Sequence, residues 1–179
     1  MGSVLFLCLG NICRSPLAEG AFRALLAERG LAEAIQVDSA GTGGWHAGEA
    51  PDPRSVRVAA EAGVDIAGQR ARQLVAEDFA RFAWIVAMDA SNKTDALRRK
   101  DAVGSGRGGA RVVAFSEFAR EEREALARDE FVSDPCDVPD PYYGNLDDFR
   151  GVWRLLVSGM PALLAAVLAA RGGDVTPRS

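Results

Sequence analysis

The sequence predicts an open α/β fold: a single domain on a four-stranded parallel sheet, flanked by helices on both faces. Three observations carry this. Short apolar runs recur along the chain, at residues 4–7, 35–37, 84–88 and 112–114. Helix-prone segments separate them, and strands alternating with crossovers make a parallel sheet covered on both sides. The length, 179 residues, suits one domain, and neither an internal repeat nor a linker divides it.

Each element follows from its residues. Val4-Leu5-Phe6-Leu7 is continuously apolar, as a strand buried on both faces must be. Ser15-Pro16 then reads as a helix N-cap followed by proline at the first helical position. Leu17, Ala18, Ala21, Phe22, Leu25 and Leu26 form the helical stripe, and Arg29-Gly30 ends it. Ile35-Gln36-Val37 is a second strand, residues 40–53 a loop, and residues 54–62 a short helix. The run at 84–88 is a third strand, Ser91 caps a helix to about Lys100, and residues 107–115 hold a fourth strand. A last helix spans 146–171, with Pro161 expected to kink it. Residues 116–131 are charged and helix-prone, the pattern of a solvated surface helix. The domain is expected over residues 1–171, with 172–179 a frayed tail.

Composition narrows the function. The net charge is −4, so no basic field argues for nucleic acid. Three cysteines, two of them five residues apart, make a poor disulfide framework and fit a reducing, cytoplasmic setting. The first apolar run lacks a basic flank and is too short to be a signal-peptide core or to span a bilayer, and no later segment is expected to span one.

The stretch "CLGNICRS", Cys8 to Ser15, concentrates the chemistry. Open parallel sheets bind ligands beyond the carboxyl ends of their strands. There, successive backbone N–H groups and a helix N-terminus favour a phosphate-like dianion, and they favour thiolate over thiol. Gly10 permits close backbone approach and Asn11 tolerates a left-handed conformation. Arg14 offers a planar fork to two phosphate oxygens. A Cys-x5-Arg-Ser pattern would arise by chance in about 2% of shuffled chains of this composition. Its place between a buried strand and a proline-started helix is therefore the stronger part of the signal. Cys8 as an inert buried hydrophobe is the weaker reading; for Cys13, simple packing competes.

"CLGNICRSP" resembles the signature loop of the low-molecular-weight protein tyrosine phosphatases. The likeness continues through "SAGTGGWHAGEAPDPRS", "RARQ", "DFARFAWIVAMDASN" and "DPYYGN", leaving out only 116–131 and the tail. The resemblance implies hydrolysis of phosphotyrosine in proteins, and of small aryl phosphates, through a cysteinyl-phosphate intermediate with no metal or organic cofactor. It implies that Cys8 is the nucleophile, that Arg14 binds the phosphoryl group, and that Ser15 supports the sulfur as leaving group. Leu9, Gly10, Asn11, Ile12, Cys13 and Arg14 would donate backbone N–H groups to phosphate. Asp140 would be the general acid, which a phenolate leaving group needs because its conjugate acid has a pKa near 10.

Taken alone, Asp140-Pro141 reads as an ordinary turn. Both tyrosines of the chain, Tyr142 and Tyr143, sit directly behind it and could pave one wall of a cleft. Trp45, among glycines, could supply the other, and His46, the only histidine, is expected at the rim or surface. The resemblance implies that Gln69 stands where the family usually has a His that holds the loop asparagine, here Asn11. Cys8 and Cys13 are expected to form a reversible disulfide under peroxide. Partners are expected to be tyrosine-phosphorylated proteins, a tyrosine kinase among them, and phosphate or a similar oxyanion in the site.

Rival readings are weaker. A disulfide-relaying arsenate reductase needs two cysteines beyond the loop, and only Cys136 is there. Phosphoarginine phosphatases of this fold tend to have threonine where Ile12 stands. A silent phosphate-binding module would not need every catalytic position filled. No G-x-x-x-x-G-K-[ST] supports nucleotide binding.

Overall fold

The structure, a computed structural model, describes residues 2–104, 109–119 and 137–172. Four parallel strands, β1 (Gly2–Cys8), β2 (Ile35–Gly41), β3 (Trp84–Ala87) and β4 (Arg111–Ala114), form one sheet in the order β2-β1-β3-β4. The helices are α1 (Arg14–Glu28), α2 (Pro53–Glu61), α3 (Asp78–Arg81), α4 (Ala90–Val103) and α5 (Leu146–Gly172), with a 3₁₀ turn at Phe115–Glu117.

β1 is central, and all seven of its residues are buried. Its side chains alternate between two cores. Val4, Phe6 and Cys8 join Leu17 and Phe22 of α1 with Leu156 and Leu163 of α5. Leu5 and Leu7 join Phe79 of α3, Phe82, Ile85 and Ala96 of α4. An unbroken apolar run is what a strand with two dry faces requires. Each such Leu or Phe contributes roughly 1.5–3 kcal/mol by leaving water.

Several boundaries differ from expectation. α1 begins at Arg14 with Cys13 as its N-cap, so Ser15 is not the cap. Pro16 lies in the first turn, where its missing N–H costs no helical bond. β2 runs on to Gly41 because it pairs with β1 as far as Cys8. The polar Asp38 and Ser39 and the small Ala40 and Gly41 hid that extension. Asp89, rather than Ser91, caps α4, its Oδ1 accepting from the Asn92 N–H at 2.6 Å. The helix extends to Val103, past the expected end at Lys100. α3 was too short to show a helical period.

α5 continues through Pro161 without interruption. It ends at Gly172, so the expected tail loses its first residue to the helix; residues 173–179 lie outside those described. Of the charged stretch, 116–119 complete the 3₁₀ turn and the residues after it, while 120–131 lie outside the described residues. Contrary to expectation, Leu146–Ala170 is long and apolar enough to cross a membrane by length and composition. In this fold its apolar stripe, Phe149, Val152, Leu156, Met160, Leu163 and Val167, is core.

Candidate active site

β1 delivers Cys8 to the carboxyl edge of the sheet, between β2 and β3. The chain crosses from one side of β1 to the other there, the switch point at which open α/β sheets bind ligands. Cys8 is 3% exposed. The backbones of the β1–α1 loop and the end of β2 are tightly apposed: Thr42 N–H donates to Cys8 O and Gly43 N–H to Leu9 O, both at 2.9 Å. A side chain at Gly41 would meet Leu9 O at 2.8 Å, so that position must be glycine.

Asn11 adopts φ 57°, the left-handed conformation its short polar side chain tolerates. Its N–H donates to Cys8 Sγ at 3.3 Å. Ser15 Oγ lies 3.0 Å from the same sulfur. The Asn11 amide is locked from three sides. Nδ2 donates to Ser15 Oγ and Ser39 Oγ, both at 2.9 Å, and Oδ1 accepts from Arg72 N–H at 2.8 Å. Ser39 in turn donates to Glu19 Oε2 at 2.7 Å. Burial pushes the Glu19 carboxyl up, against hydrogen bonds from Ser39 and Arg23 that pull it down.

This arrangement corrects the role expected of Gln69. Gln69 Nε2 donates to Pro16 O at 3.3 Å, in the first turn of α1, and its Oε1 is buried with no partner among the described residues. Gln69 thus spends its donor on Pro16 O and not on Asn11 Oδ1, which accepts from the Arg72 N–H, so it steadies the helix start rather than the loop asparagine.

Arg14 is 3% exposed, and its fork meets two carboxylates. One terminal nitrogen donates to Asp89 Oδ2 at 2.7 Å and to Val138 O at 3.2 Å, the other to Asp140 Oδ2 at 2.6 Å. Burial disfavours the guanidinium charge, but neighbouring Cys8, Asp140 and Asp89 outweigh it and raise its pKa further. Cys13 is also buried. Desolvation, and after it Asp52, Cys8 and Asp140, push its thiol up to about 12, with Arg54 opposing. Cys8 and Cys13 are both free thiols.

These groups share one cavity of about 250 Å³. Cys8, Leu9, Gly10, Ile12, Cys13 and Arg14 line it from the loop, and Trp45, His46, Asp140, Tyr142 and Tyr143 from above. Tyr142 and Tyr143 stand edge to face, ring centres 5.0 Å apart. Trp45 is 63% exposed and Tyr143 97%, so both are rim residues rather than core. Of the residues expected to act on phosphate, Asn11 and Ser15 do not line the cavity and instead contact the Cys8 sulfur.

Reading the sequence missed what supports them. Asp89 lies just past the carboxyl end of β3, a position that could have signalled its part in the site. His46 lies against the loop: a side chain at Gly10 would meet its ring at 3.0 Å. Its Nδ1 is 2.8 Å from Glu49 Oε2. No group of three or more possible metal ligands occurs among the described residues.

The family model for low molecular weight phosphotyrosine protein phosphatase matches residues 3–171. The chain belongs to this family. It is a phosphatase of phosphotyrosine, with phosphoproteins as substrates. A relative from Bacillus subtilis, low molecular weight protein-tyrosine-phosphatase YfkJ, is 42% identical over 168 residues, 93% of this chain and 96% of that one. The crystal structure of YfkJ superposes with a TM-score of 0.75, covering 96% of this chain and 97% of that one at 37% identity. The human low molecular weight phosphotyrosine protein phosphatase is 36% identical over 90% of this chain and 93% of its own length.

Proposed function

We propose that Cys8, Arg14, Ser15 and Asp140 carry the hydrolysis in two displacements. Cys8 sulfur attacks phosphorus and the bond to the tyrosine oxygen breaks, while Asp140 gives that oxygen its proton. Water then attacks the cysteinyl phosphate, the Asp140 carboxylate takes a proton from it, and the S–P bond breaks. The Ser15 hydroxyl donates to the departing sulfur, and Arg14 with the loop N–H groups holds the phosphoryl oxygens throughout. The observation that carries this reading is the placing of Cys8 Sγ, with Ser15 Oγ at 3.0 Å, in the same cavity as Asp140. The apolar Ile12 side chain and the aromatic rim suit an aryl ring better than a guanidinium group. We further propose that the substrates include a tyrosine kinase, and that the enzyme works in the cytoplasm, where Cys8 stays reduced.

Cys8→Ser tests this. Turnover should fall at least about 10³-fold while phosphate and vanadate still bind, because the loop N–H groups and Arg14 supply that binding. Retention of more than about a thousandth of kcat would reject covalent catalysis by this residue. The same variant should retain tyrosine-phosphorylated proteins from an extract, released by vanadate; the absence of any kinase among them would reject that part.

A further inference from the structure

We propose that Arg54 is the positioning residue that fixes the general-acid loop against the nucleophile loop, so that Asp140 reaches the leaving oxygen. The inference rests on the phosphatase reading above. The turn that carries Arg54 is fastened to the nucleophile loop on one side. Asp52 N–H donates to Ile12 O at 2.8 Å, and Ser55 Oγ donates to Cys13 O at 3.3 Å. On its other side Arg54 grips the acid loop. Its two terminal nitrogens donate to Gly144 O at 2.8 Å and Tyr142 O at 3.0 Å.

The guanidinium is itself held. It forms a two-pronged pair with Asp52, Nε to Oδ1 at 2.9 Å and a terminal nitrogen to Oδ2 at 2.7 Å, and it lies 4.4 Å from the centre of the Phe149 ring at the start of α5. One planar group thus ties its own turn to the acid loop and the start of α5, which begin 88 residues further along the chain. The link to Asp140 is short. Tyr142 N–H donates to Asp140 Oδ1 at 3.2 Å, so the residue whose carbonyl Arg54 holds also aims the carboxyl through its N–H. Arginine is needed for this; a lysine ammonium cannot grip Asp52 with two parallel bonds while reaching two carbonyls. The side chain is about a third exposed, so its ion pair contributes little to stability. Its removal should therefore show in geometry at the site before it shows in folding.

The experiment is leaving-group dependence of kcat/KM, which reports the steps up to departure of the aryl group. Arg54→Ala should lower kcat/KM about 10–100-fold for phenyl phosphate and less than about threefold for dinitrophenyl phosphate, whose leaving group needs little protonation. Arg54→Lys should behave like Arg54→Ala, with phosphate affinity and melting temperature near wild type. In an Asp140→Asn background, Arg54→Ala should add no further leaving-group selectivity, since both act through one proton. If Arg54→Ala fails to fold, Arg54→Met, which keeps the stem over Phe149, makes the same comparison. Equal losses on both esters, or selective losses that add fully to those of Asp140→Asn, would overturn the inference. Asp140→Asn on its own separates the two readings. If it is selective and the Arg54 variants are not, only the Arg54 inference fails; if it shows no selectivity, Asp140 is not the acid and both fail.

Discussion

Asp140→Asn removes one transferable proton from the site and leaves almost everything else in place. The Asp140 side chain is 45% exposed, with Oδ2 2.6 Å from an Arg14 terminal nitrogen and Oδ1 3.2 Å from Tyr142 N. An asparagine of the same shape can keep the bond from Arg14 with its single amide oxygen, and its NH2 then faces Tyr142 N, giving up only the longer of the two contacts. Arg14 keeps Asp89 on its other terminal nitrogen. An ion pair this exposed contributes about 1 kcal/mol or less to stability, so melting should barely change. Loss of acid catalysis is different: about 10²–10⁴ in rate, or roughly 3–5 kcal/mol of barrier. The substitution should therefore cost activity several times more free energy than it costs stability. The assay is kcat/KM on phenyl phosphate, phosphotyrosine and dinitrophenyl phosphate. The full loss is expected for the first two, and at least about tenfold less for the last. Equal losses would refute the assignment and mean that Asp140 only positions substrate or loop. Asp89 and Asp137 would then be the carboxylates to test, although Asp89 already spends one oxygen on Arg14 and the other on the α4 cap.

Cys13 gives a prediction in pH. Its folded thiol titrates at about 12 against 9.0 for the free group, so above pH 9 the unfolded state loses this proton first and stability falls. Its contribution to the slope should approach about 1.4 kcal/mol per pH unit between those values and be missing from Cys13→Ala; a difference in unfolding free energy between the two proteins that stays constant from pH 8 to 10.5 would refute it. The same burial bears on redox chemistry, because Cys13 must ionise to attack an oxidised Cys8 and expel hydroxide. After mild peroxide, the Cys8–Cys13 disulfide should form faster as pH rises; mass spectrometry finding Cys8 over-oxidised and Cys13 untouched would reject the pair. Gln69→His should change kcat/KM less than about threefold, because Asn11 is satisfied without residue 69; loss of most activity would show that the first turn of α1 needs the Gln69 contact to Pro16.

How far the site could be read from sequence depended on chain separation. Cys8, Asn11, Arg14 and Ser15 lie within one loop between an apolar run and a helix start, so spacing alone placed them around one anion. The fold was legible for a similar reason: a strand with two dry faces must be apolar throughout, and β1 and β3 are. β2 was cut short because its carboxyl end is Asp38-Ser39-Ala40-Gly41, chosen for the site rather than for a core. Ser39 bonds Asn11, and Gly41 admits the Leu9 carbonyl. The supports were opaque because their partners are remote. Asp89 meets Arg14 across 75 residues, and Arg54 meets Gly144 across 90. No local pattern encodes such a meeting; the parallel sheet creates it by bringing every strand's carboxyl end to one edge. Gln69 shows the converse. A position matched to its family by sequence suggested a bond to Asn11, but whether a donor binds an asparagine depends on what the asparagine has left to accept or give. Ser15, Ser39 and the Arg72 peptide supply the bonds Asn11 makes, and Gln69 turns to Pro16 O instead. Residues whose role is to saturate another residue's hydrogen bonds are therefore the ones for which sequence position is the weakest guide, and the Asn11 network is built almost wholly of them.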